Sequence, residues 1–391
     1  MTKSENSILL LSVMDSWGGG EEVLLKIALH VHGFVFFIAT PPGNPAEVYL
    51  QHKLNVFSLV SLKKIYRKND GWTILDKLKT LANIAKSALP LYLFMRTKNV
   101  SIIAANGNFA ALFALPFVFF FKKKLVVIQH LLYEKNSFEG KLLKTLAKYS
   151  DKFICVSKSV VDNIQFFTDE STDEKSTVIY NGISLPAENS EMQKFPVSED
   201  EIRFAIVGSI IQEKGHDRII EVFSELVSVF PQCMLYILGD PRKEESSKFF
   251  YQSLKDSVEN FNIGDKIFFK GYVTEKDDLF NQIDILINYS IVPESFSLTV
   301  IEALARKKIV IASNEGGPSE IIRHGVNGFL VEPRNKQALL QMMKNVVRQI
   351  ENDELNEIRK TGRATVEKNF SLDNFTEAYK NMFETYTLEG K

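Results

Sequence analysis

Short apolar runs alternate with longer segments of helical periodicity along the whole chain. Twelve of these runs are short and rich in β-branched or aromatic residues, which is typical of strands. The predicted strands are 8–13, 34–39, 102–105, 125–129, 153–156, 178–180, 202–207, 234–238, 267–269, 285–287, 310–312 and 329–331. Regular alternation of strands and helices predicts βαβ units and parallel sheets, and therefore an α/β fold.

The segments between the strands carry helical patterns. In 217–230, apolar residues recur every three or four positions, which predicts an amphipathic helix. The most apolar segment is 109–121, which contains Pro116 and is followed by three lysines. A membrane span needs about 20 apolar residues, so this segment predicts a buried helix and not a membrane crossing.

One polar stretch divides the chain. Residues 186–200 contain prolines and acidic residues and show no periodicity, which indicates a linker. We expect one Rossmann-like domain over 1–185, a second over 201–370, and a helix over 371–391 that packs back on the first domain. Such doubly wound sheets bind ligands at the carboxyl ends of their strands, so we expect the two domains to face each other across a cleft.

Composition narrows the possible partners. The chain of 391 residues has a formal net charge of −1, which argues against nucleic acid as the partner. Residues 1–185 contain 22 basic and 15 acidic residues, and the remainder contains 25 basic and 33 acidic residues.

The two cysteines indicate the compartment. Cys155 and Cys233 lie far apart in apolar runs, which indicates reduced, buried thiols. With no secretory signal pattern before residue 14, we expect a cytoplasmic protein.

Two glycine-containing turns each follow a strand and precede a helix. Gly18, Gly19 and Gly20 follow the first strand, where backbone N–H groups at a helix start suit an anion. They do not form the GxGxxG fingerprint, so NAD is not implied. In the second half, Lys214 ends the loop that begins at Gly208, and its ammonium is placed to contact a diphosphate. The alternatives are a turn without a ligand and a solvated lysine.

A pair of glutamates gives the most specific signal. Glu294 follows the strand 285–287, and Glu302 lies eight positions later on an almost wholly apolar helical segment. A buried carboxylate needs hydrogen-bond donors, and ribose hydroxyls would supply them. The alternatives for Glu302 are exposure or an internal salt bridge. After the next strand, Gly316 and Gly317 suit close packing against a ligand, or else a turn that caps a helix.

His130 and Asn106 each end a predicted strand in the first half. Both residues are candidates for the rim of a site at the carboxyl edge of the sheet. A lone histidine is more often structural than catalytic, so a packing role for His130 stays open.

The order and spacing of these motifs resemble those of the family-4 glycosyltransferases, retaining enzymes of GT-B fold, over nearly the whole chain. The matching segments are GGGEE from Gly18, GSIIQEKG from Gly208, the E-x7-E motif, GGPSEII from Gly316 with HGVNGFLV after it, and VIYNGI at 178–183, which usually closes the first domain. Within that family, the chain resembles the enzymes of the bacterial cell-surface polysaccharide type.

The resemblance implies that 1–185 is the acceptor-side domain and that 201–370 is the nucleotide-sugar-binding domain. It also implies roles for individual residues. The implied donor-binding set is Gly19, Gly20, Gly208, Ser209, Lys214, Tyr272, Val273, Glu294, Phe296, Ser297, Leu298 and Glu302. Glu302 would hold the ribose, Glu294 the sugar ring and Lys214 the diphosphate, with the backbone at Tyr272 and Val273 facing the base. His130, Glu294 and Lys214 would be catalytic.

Two positions depart from the family pattern. Ser209 stands where an arginine is usual, so another residue has to supply part of the diphosphate binding or that binding is weaker. Ser297 stands where glycine is common.

The predicted activity is transfer of a sugar from a UDP- or GDP-sugar to a glycan or lipid-linked acceptor, with retention of configuration and no cofactor. The chain contains no Asp-x-Asp sequence, so nothing in it calls for a metal. The alternatives are a GT-B epimerase and a non-catalytic nucleotide-sugar-binding homologue, and donor consumption with and without acceptor distinguishes them.

An anionic membrane surface is a further candidate partner. Its basis is the basic first half, with cationic and aromatic residues mixed at 63–68 and lysines at 122–124 after the phenylalanine-rich run. The alternative is that these lysines form a solvated face. If the membrane prediction holds, the protein is peripheral on the inner face of the cell membrane.

Overall fold

The computed structural model describes residues 6–65, 73–168, 174–187, 200–273, 275–352 and 354–388. The chain forms two compact units: unit 1 comprises Met1–Gly182 with Asp373–Lys391, and unit 2 comprises Ile183–Leu372. Most of the predicted linker, 188–199, lies outside the described residues.

Unit 1 contains a parallel sheet of seven strands in the order β3-β2-β1-β4-β5-β6-β7. The strands are β1 (Asn6–Leu11), β2 (Phe34–Thr40), β3 (Asn55–Ser58), β4 (Val100–Asn106), β5 (Lys124–Gln129), β6 (Lys152–Cys155) and β7 (Ser176–Val178). The helices are α1 (Gly19–His30), α2 (Asn44–Gln51), α3 (Ile74–Thr97), α4 (Asn108–Phe121), α5 (Phe138–Tyr149), α6 (Lys158–Thr168) and the last helix of the chain, Leu372–Leu388.

Unit 2 contains a parallel sheet of six strands in the order β10-β9-β8-β11-β12-β13. The strands are β8 (Ile202–Val207), β9 (Cys233–Leu238), β10 (Ile267–Gly271), β11 (Ile285–Asn288), β12 (Ile309–Ser313) and β13 (Phe329–Val331). The helices are α7 (His216–Val227), α8 (Glu245–Asn260), α9 (Lys276–Asn281), α10 (Leu298–Ala305), α11 (Gly317–Ile321), α12 (Lys336–Glu351) and α13 (Asn356–Asn369), so Leu372–Leu388 is α14.

The predicted α/β class and its two Rossmann-like sheets are confirmed. The central strands are continuous apolar runs: Ile8, Leu9, Leu10 and Leu11 are fully buried. Such runs are expected where helices cover both faces of a parallel sheet. In each sheet the strand order reverses once, between β1 and β4 and between β8 and β11. These are the topological switch points at which doubly wound folds bind ligands.

One element was missed, and some predictions need correction. The edge strand β3 was not predicted, because its four residues are too few to show an alternation. The strands predicted at 8–13 and 178–180 each lie two residues earlier, at Asn6–Leu11 and Ser176–Val178. The segment 109–121 does form a helix, but its last turn is not buried: Phe119 and Phe120 are 51% and 79% exposed. A segment that is apolar at every position does not show which of its residues are covered by neighbouring elements and which are exposed.

The last helix, α14, packs within unit 1. The ring centroid of Phe383 lies 5.6 Å from that of Phe34 and 5.7 Å from that of Phe36, both on β2.

Cys155 and Cys233 are buried free thiols, as predicted, and burial raises the pKa of each to about 12. Within the part of the chain that is described, no helix is long and apolar enough to cross a membrane.

Candidate functional site

The switch point of unit 2 brings Lys214 and Glu294 into contact. The Lys214 ammonium and the Ser290 hydroxyl both donate hydrogen bonds to Glu294 Oε1. Asn288 Nδ2, at the end of β11, lies 3.5 Å from the same oxygen and donates to Ser297 Oγ at 3.2 Å. Two of the three predicted catalytic residues therefore lie together at the carboxyl ends of β8 and β11.

This ion pair is partly open to solvent. The side chain of Lys214 is 27% exposed, whereas that of Glu294 is 12% exposed. The ammonium group is therefore accessible to an incoming anion, while the more buried carboxylate of Glu294 holds it in place. A diphosphate would compete with Glu294 for the ammonium, and the hydroxyl and amide around Glu294 would remain to hold that carboxylate.

Glycines make room for this arrangement. Gly208 has a φ of +140°, and Gly215, which precedes α7, has a φ of +65°. A Cβ atom on Gly215 would lie 2.6 Å from the carbonyl oxygen of Tyr289. The Ile291 N–H donates to the Glu213 carbonyl at 2.8 Å, which ties the Lys214 loop to the Glu294 loop. Only glycine permits this close approach of the two loops.

Gly316 and Gly317 pack against the Glu294 loop itself. A Cβ on Gly316 would lie 2.2 Å from the Glu294 carbonyl oxygen, and one on Gly317 would lie 2.5 Å from Phe296 Cα. The Gly317 N–H donates to the Glu294 carbonyl at 2.7 Å. The sequence left two alternatives for these glycines, an approach to a ligand or a turn that caps a helix. The structure shows the cap, since Gly316 is the N-cap residue of α11, and both glycines approach the backbone that positions Glu294.

Helix α10 begins at the same edge. Ser297 is its buried N-cap residue, with Leu298 in the first turn and the ring of Phe296 6.0 Å from that of Phe370. Glu302 is only 5% exposed, in agreement with its position on the apolar stripe. Glu302 also takes part in an interaction within the protein, and the predicted ribose contact would come in addition to its burial there.

The other predicted donor contacts follow the neighbouring strands. Ser209 is exposed after β8, and Tyr272 is 75% exposed after β10 with Val273 half-buried beside it. The Gly239 N–H donates to the Gly271 carbonyl at 2.8 Å, so the ends of β9 and β10 are also held together.

In unit 1 the predicted Gly19 and Gly20 form the first turn of α1, at the switch point between β1 and β4. A Cβ on Gly20 would lie 3.1 Å from the side chain of Asn106, whereas Gly19 faces open space. Backbone N–H groups of a first helical turn lack intrahelical partners and suit an anion.

A buried glutamate that sequence reasoning did not single out supports this turn. Glu21 Oε1 accepts hydrogen bonds from Ser12 Oγ at 3.0 Å and from Asn106 Nδ2 at 2.9 Å. Burial raises the pKa of Glu21 despite those two donors. Glu21 thereby fixes Asn106, at the end of β4, beside Gly20.

His130 directly follows β5. Its ring is half-buried, its Nε2 is shielded from solvent, and no described residue lies within hydrogen-bonding distance of that atom. Burial lowers the pKa of His130 to about 4, so the imidazole is neutral at pH 7. A neutral imidazole donates or accepts a hydrogen bond, which suits a contact to a sugar hydroxyl better than to a phosphate.

Sequence reasoning also missed Asn288 and Ser290. Their signal was their position: Asn288 ends β11 after three apolar residues, and Ser290 follows two residues later, shortly before Glu294.

Both halves of the chain match glycosyltransferase family models. The model of the glycosyl transferases group 1 matches residues 187–365, and that of glycosyltransferase family 4 matches residues 17–185. A glycosyltransferase of Methanocaldococcus jannaschii, MJ1178, is 26% identical over 64% of this chain and 64% of its own. The lipopolysaccharide 1,2-N-acetylglucosaminetransferase of Salmonella typhimurium is 27% identical over 49% of this chain and 51% of its own. The chain thus spans less than two thirds of each of these two relatives.

Among solved structures, Anabaena HepE in complex with UDP superposes with a TM-score of 0.79 at 19% identity, covering 97% of this chain and all of that one. A further structure of HepE contains UDP-glucose. At this identity the likeness shows the fold alone, and that fold is GT-B. With both family models matched in order along one chain, the protein belongs to the family-4, group 1 glycosyltransferases.

Proposed function

We propose that this protein transfers a hexose from a nucleoside-diphosphate sugar to a glycan or lipid-linked acceptor with retention of configuration. The observation that carries the proposal is the Lys214–Glu294 pair at the switch point of unit 2. It combines an accessible cation for a diphosphate with a hydrogen-bonded carboxylate for sugar hydroxyls. The UDP and UDP-glucose complexes of HepE support UDP as the first nucleotide to test.

Each residue at the switch point has a proposed part in donor binding. Lys214 leaves Glu294 for the diphosphate, aided by the N–H groups that follow Gly208. Glu294, held by Ser290, then accepts hydrogen bonds from the sugar ring, and Glu302 binds the ribose. Fixed cationic and N–H donors of this kind stabilise the charge that develops on a leaving diphosphate.

The proposed chemistry is a front-face displacement. The acceptor hydroxyl oxygen forms a bond to the anomeric carbon on the face from which the diphosphate departs, and the bond between that carbon and the diphosphate oxygen breaks. The hydroxyl proton passes to the departing diphosphate. His130, neutral at pH 7, is proposed to bind a sugar hydroxyl during this step. In this proposal Lys214 and the N–H groups that follow Gly208 stabilise the charge on the departing diphosphate without a metal.

The cellular setting is also a proposal. The resemblance to polysaccharide-synthesising enzymes supports a role in making a cell-surface glycan. The two buried, unpaired thiols described above support a reducing compartment, and therefore the cytoplasm.

The test is a panel of UDP- and GDP-sugars assayed for nucleoside-diphosphate release with and without glycan and polyprenyl-diphosphate-sugar acceptors, in the presence of EDTA. We expect acceptor-dependent release from one donor, and an NMR spectrum of the product that shows the anomeric configuration of the donor. An inverted product, or activity lost with EDTA and restored by a divalent metal, contradicts the mechanism. Isomerisation of the donor without acceptor, or binding without turnover, contradicts the transferase assignment.

A further inference from the structure

Helix α3 exposes an apolar stripe. Six of its large aliphatic side chains are between 51% and 76% exposed: Ile74, Leu75, Leu78, Leu81, Leu89 and Leu93. On a helix with about 3.6 residues per turn, these positions fall within an arc of roughly 120°. Its opposite face, with Thr80, Ser87, Leu91 and Met95, is the buried one. The buried face carries apolar residues as expected of an amphipathic helix, but α3 has a second apolar face that is exposed over more than five turns.

Basic residues flank this stripe. Lys79 and Lys86 lie along one edge of it and Lys77 along the other, with Arg96 in the last turn. The only acidic residue of α3, Asp76, is engaged in the capping box with Thr73 at the helix start. A helix with an exposed apolar face bordered by lysines is the pattern that lies in the interface of a lipid bilayer, where the ammonium groups reach the headgroups.

The end of α4 extends the same surface. The ring of Tyr92 on α3 stacks on that of Phe121 with a centroid distance of 4.2 Å, and Phe119 and Phe120 are exposed in the same turn. Exposed apolar side chains on two adjoining helices form a patch larger than the scattered apolar residues of an ordinary surface. We call this patch, residues 74–93 of α3 with 119–121 of α4, the α3–α4 surface.

The basic clusters identified from sequence are less available than this surface for contact with an anionic partner, because their lysines contact other parts of the protein. Lys63 pairs with Asp15 at 3.3 Å, and Lys64 lies over the Phe109 ring at 4.5 Å. Lys123 and Lys124 both donate to backbone carbonyl oxygens of unit 1. Residues 66–68 lie outside the described residues. Beside the α3 stripe, Lys77 also lies over an aromatic ring, that of Phe138 at 5.7 Å, whereas Lys79 and Lys86 are exposed and are the better placed cations.

The charge of the lysines distinguishes between two possible partners of the α3–α4 surface, a second copy of the chain and an anionic bilayer. In a two-fold symmetric dimer the same patch would face itself, and the lysines of each copy would confront those of the other. An anionic bilayer instead complements both features at once, since its headgroups attract the lysines and its acyl region accepts the leucines.

The geometry points to the α3–α4 surface as a docking site for the surface of an anionic lipid bilayer, on which α3 lies parallel to the membrane plane. This inference does not rest on the proposed transferase activity. Binding is peripheral and reversible, and it requires both the apolar stripe and the lysines that border it.

The test is co-sedimentation of the full chain with vesicles of neutral phosphatidylcholine, or of phosphatidylcholine containing a third phosphatidylglycerol, at low and high salt. We expect binding to the anionic vesicles only, weakened by salt. The double variant Leu78→Glu/Leu89→Glu should reduce this binding at least tenfold, and Lys79→Gln/Lys86→Gln should reduce it several-fold. The matched control is Phe249→Glu on α8 of unit 2, also a highly exposed apolar residue, which should bind as the unaltered chain does.

A dye reports the location directly. Because both native cysteines are buried, an environment-sensitive fluorophore on Leu81→Cys is expected to shift its emission to the blue on adding anionic vesicles, whereas one on Phe249→Cys is not. Equal or negligible binding to both vesicle types overturns the inference, as does a Leu78→Glu/Leu89→Glu variant that binds normally. So does a concentration-dependent dimer in light scattering that the same double variant abolishes without any vesicle binding.

Discussion

Replacement of Lys214 by methionine separates a donor-binding role from a structural one. The substitution removes the charge and keeps most of the length of the side chain. It leaves Glu294 with the Ser290 hydroxyl as its remaining strong donor. Because the ion pair is partly exposed, its loss should cost at most about 1 kcal/mol of stability, which is a Tm change of roughly 2–4 °C.

The expected effect on ligand binding is larger. A charge-assisted hydrogen bond to a diphosphate is worth about 1.5–3 kcal/mol, which corresponds to a roughly 10- to 150-fold weaker Kd. Titration calorimetry with UDP and GDP measures this directly, and thermal unfolding of the same samples measures the cost to the fold.

The matched control is Lys336→Met. Lys336 also forms an ion pair with a carboxylate of unit 2, Glu221, but does so on an exposed helix surface. The control should bind nucleotide normally and lose as little stability as Lys214→Met does. If Lys214→Met binds nucleoside diphosphate within twofold of the unaltered protein, the assignment of Lys214 to the diphosphate is wrong.

Three further predictions follow from the described contacts. Glu302→Gln should weaken binding of the nucleoside diphosphate at least tenfold with the fold intact, because ribose hydroxyls bond more strongly to a charged acceptor; unchanged calorimetry would refute the ribose assignment. Gly316→Ala should destabilise the protein by about 2 kcal/mol or more, since its φ is +68° and its Cβ would lie 2.2 Å from a carbonyl oxygen, whereas Gly264→Ala, with no atom within 4 Å of its Cβ, should be nearly neutral in chemical denaturation. Burial lowers the pKa of both His130 and His216 to about 4, so the unfolded chain binds more protons than the folded chain between pH 6.5 and 4. The free energy of unfolding should therefore be unaffected by these histidines above pH 6.5 and fall by about 1.4 kcal/mol per pH unit for each of them below it. It should fall less steeply in His216→Gln, and an unchanged slope in this variant would refute the argument.

The sheets were predictable because their strands are buried on both faces. A run such as residues 8–11 is apolar at every position, and this pattern survives without knowledge of its neighbours. The strand β3 at the sheet edge has half-buried and exposed residues and gave no such signal. The exposed stripe of α3 was missed for a related reason: periodicity shows that a helix has an apolar face, but it does not show which face the sheet covers.

Part of the candidate site was also predictable, since polar residues directly after apolar strands mark the carboxyl edge of a parallel sheet. Lys214 and Glu294 were identified in this way. Their mutual contact was not, because it depends on the neighbouring positions of β8 and β11, which follow from the strand order and not from adjacency in sequence. The role of Gly316 and Gly317 stayed open between two alternatives, because sequence shows that a Cβ is absent but not which atoms occupy its place.

Hydrogen–deuterium exchange with and without nucleoside diphosphate tests the central claim, which is that the donor binds at the carboxyl ends of β8 and β11. At a nucleotide concentration shown by calorimetry to be saturating, we expect slower exchange in peptides that cover 208–216 and 294–302. Peptides that cover α8, at Glu245–Asn260, should exchange at an unchanged rate. Protection confined to other segments, with 208–216 and 294–302 unaffected, would contradict the account.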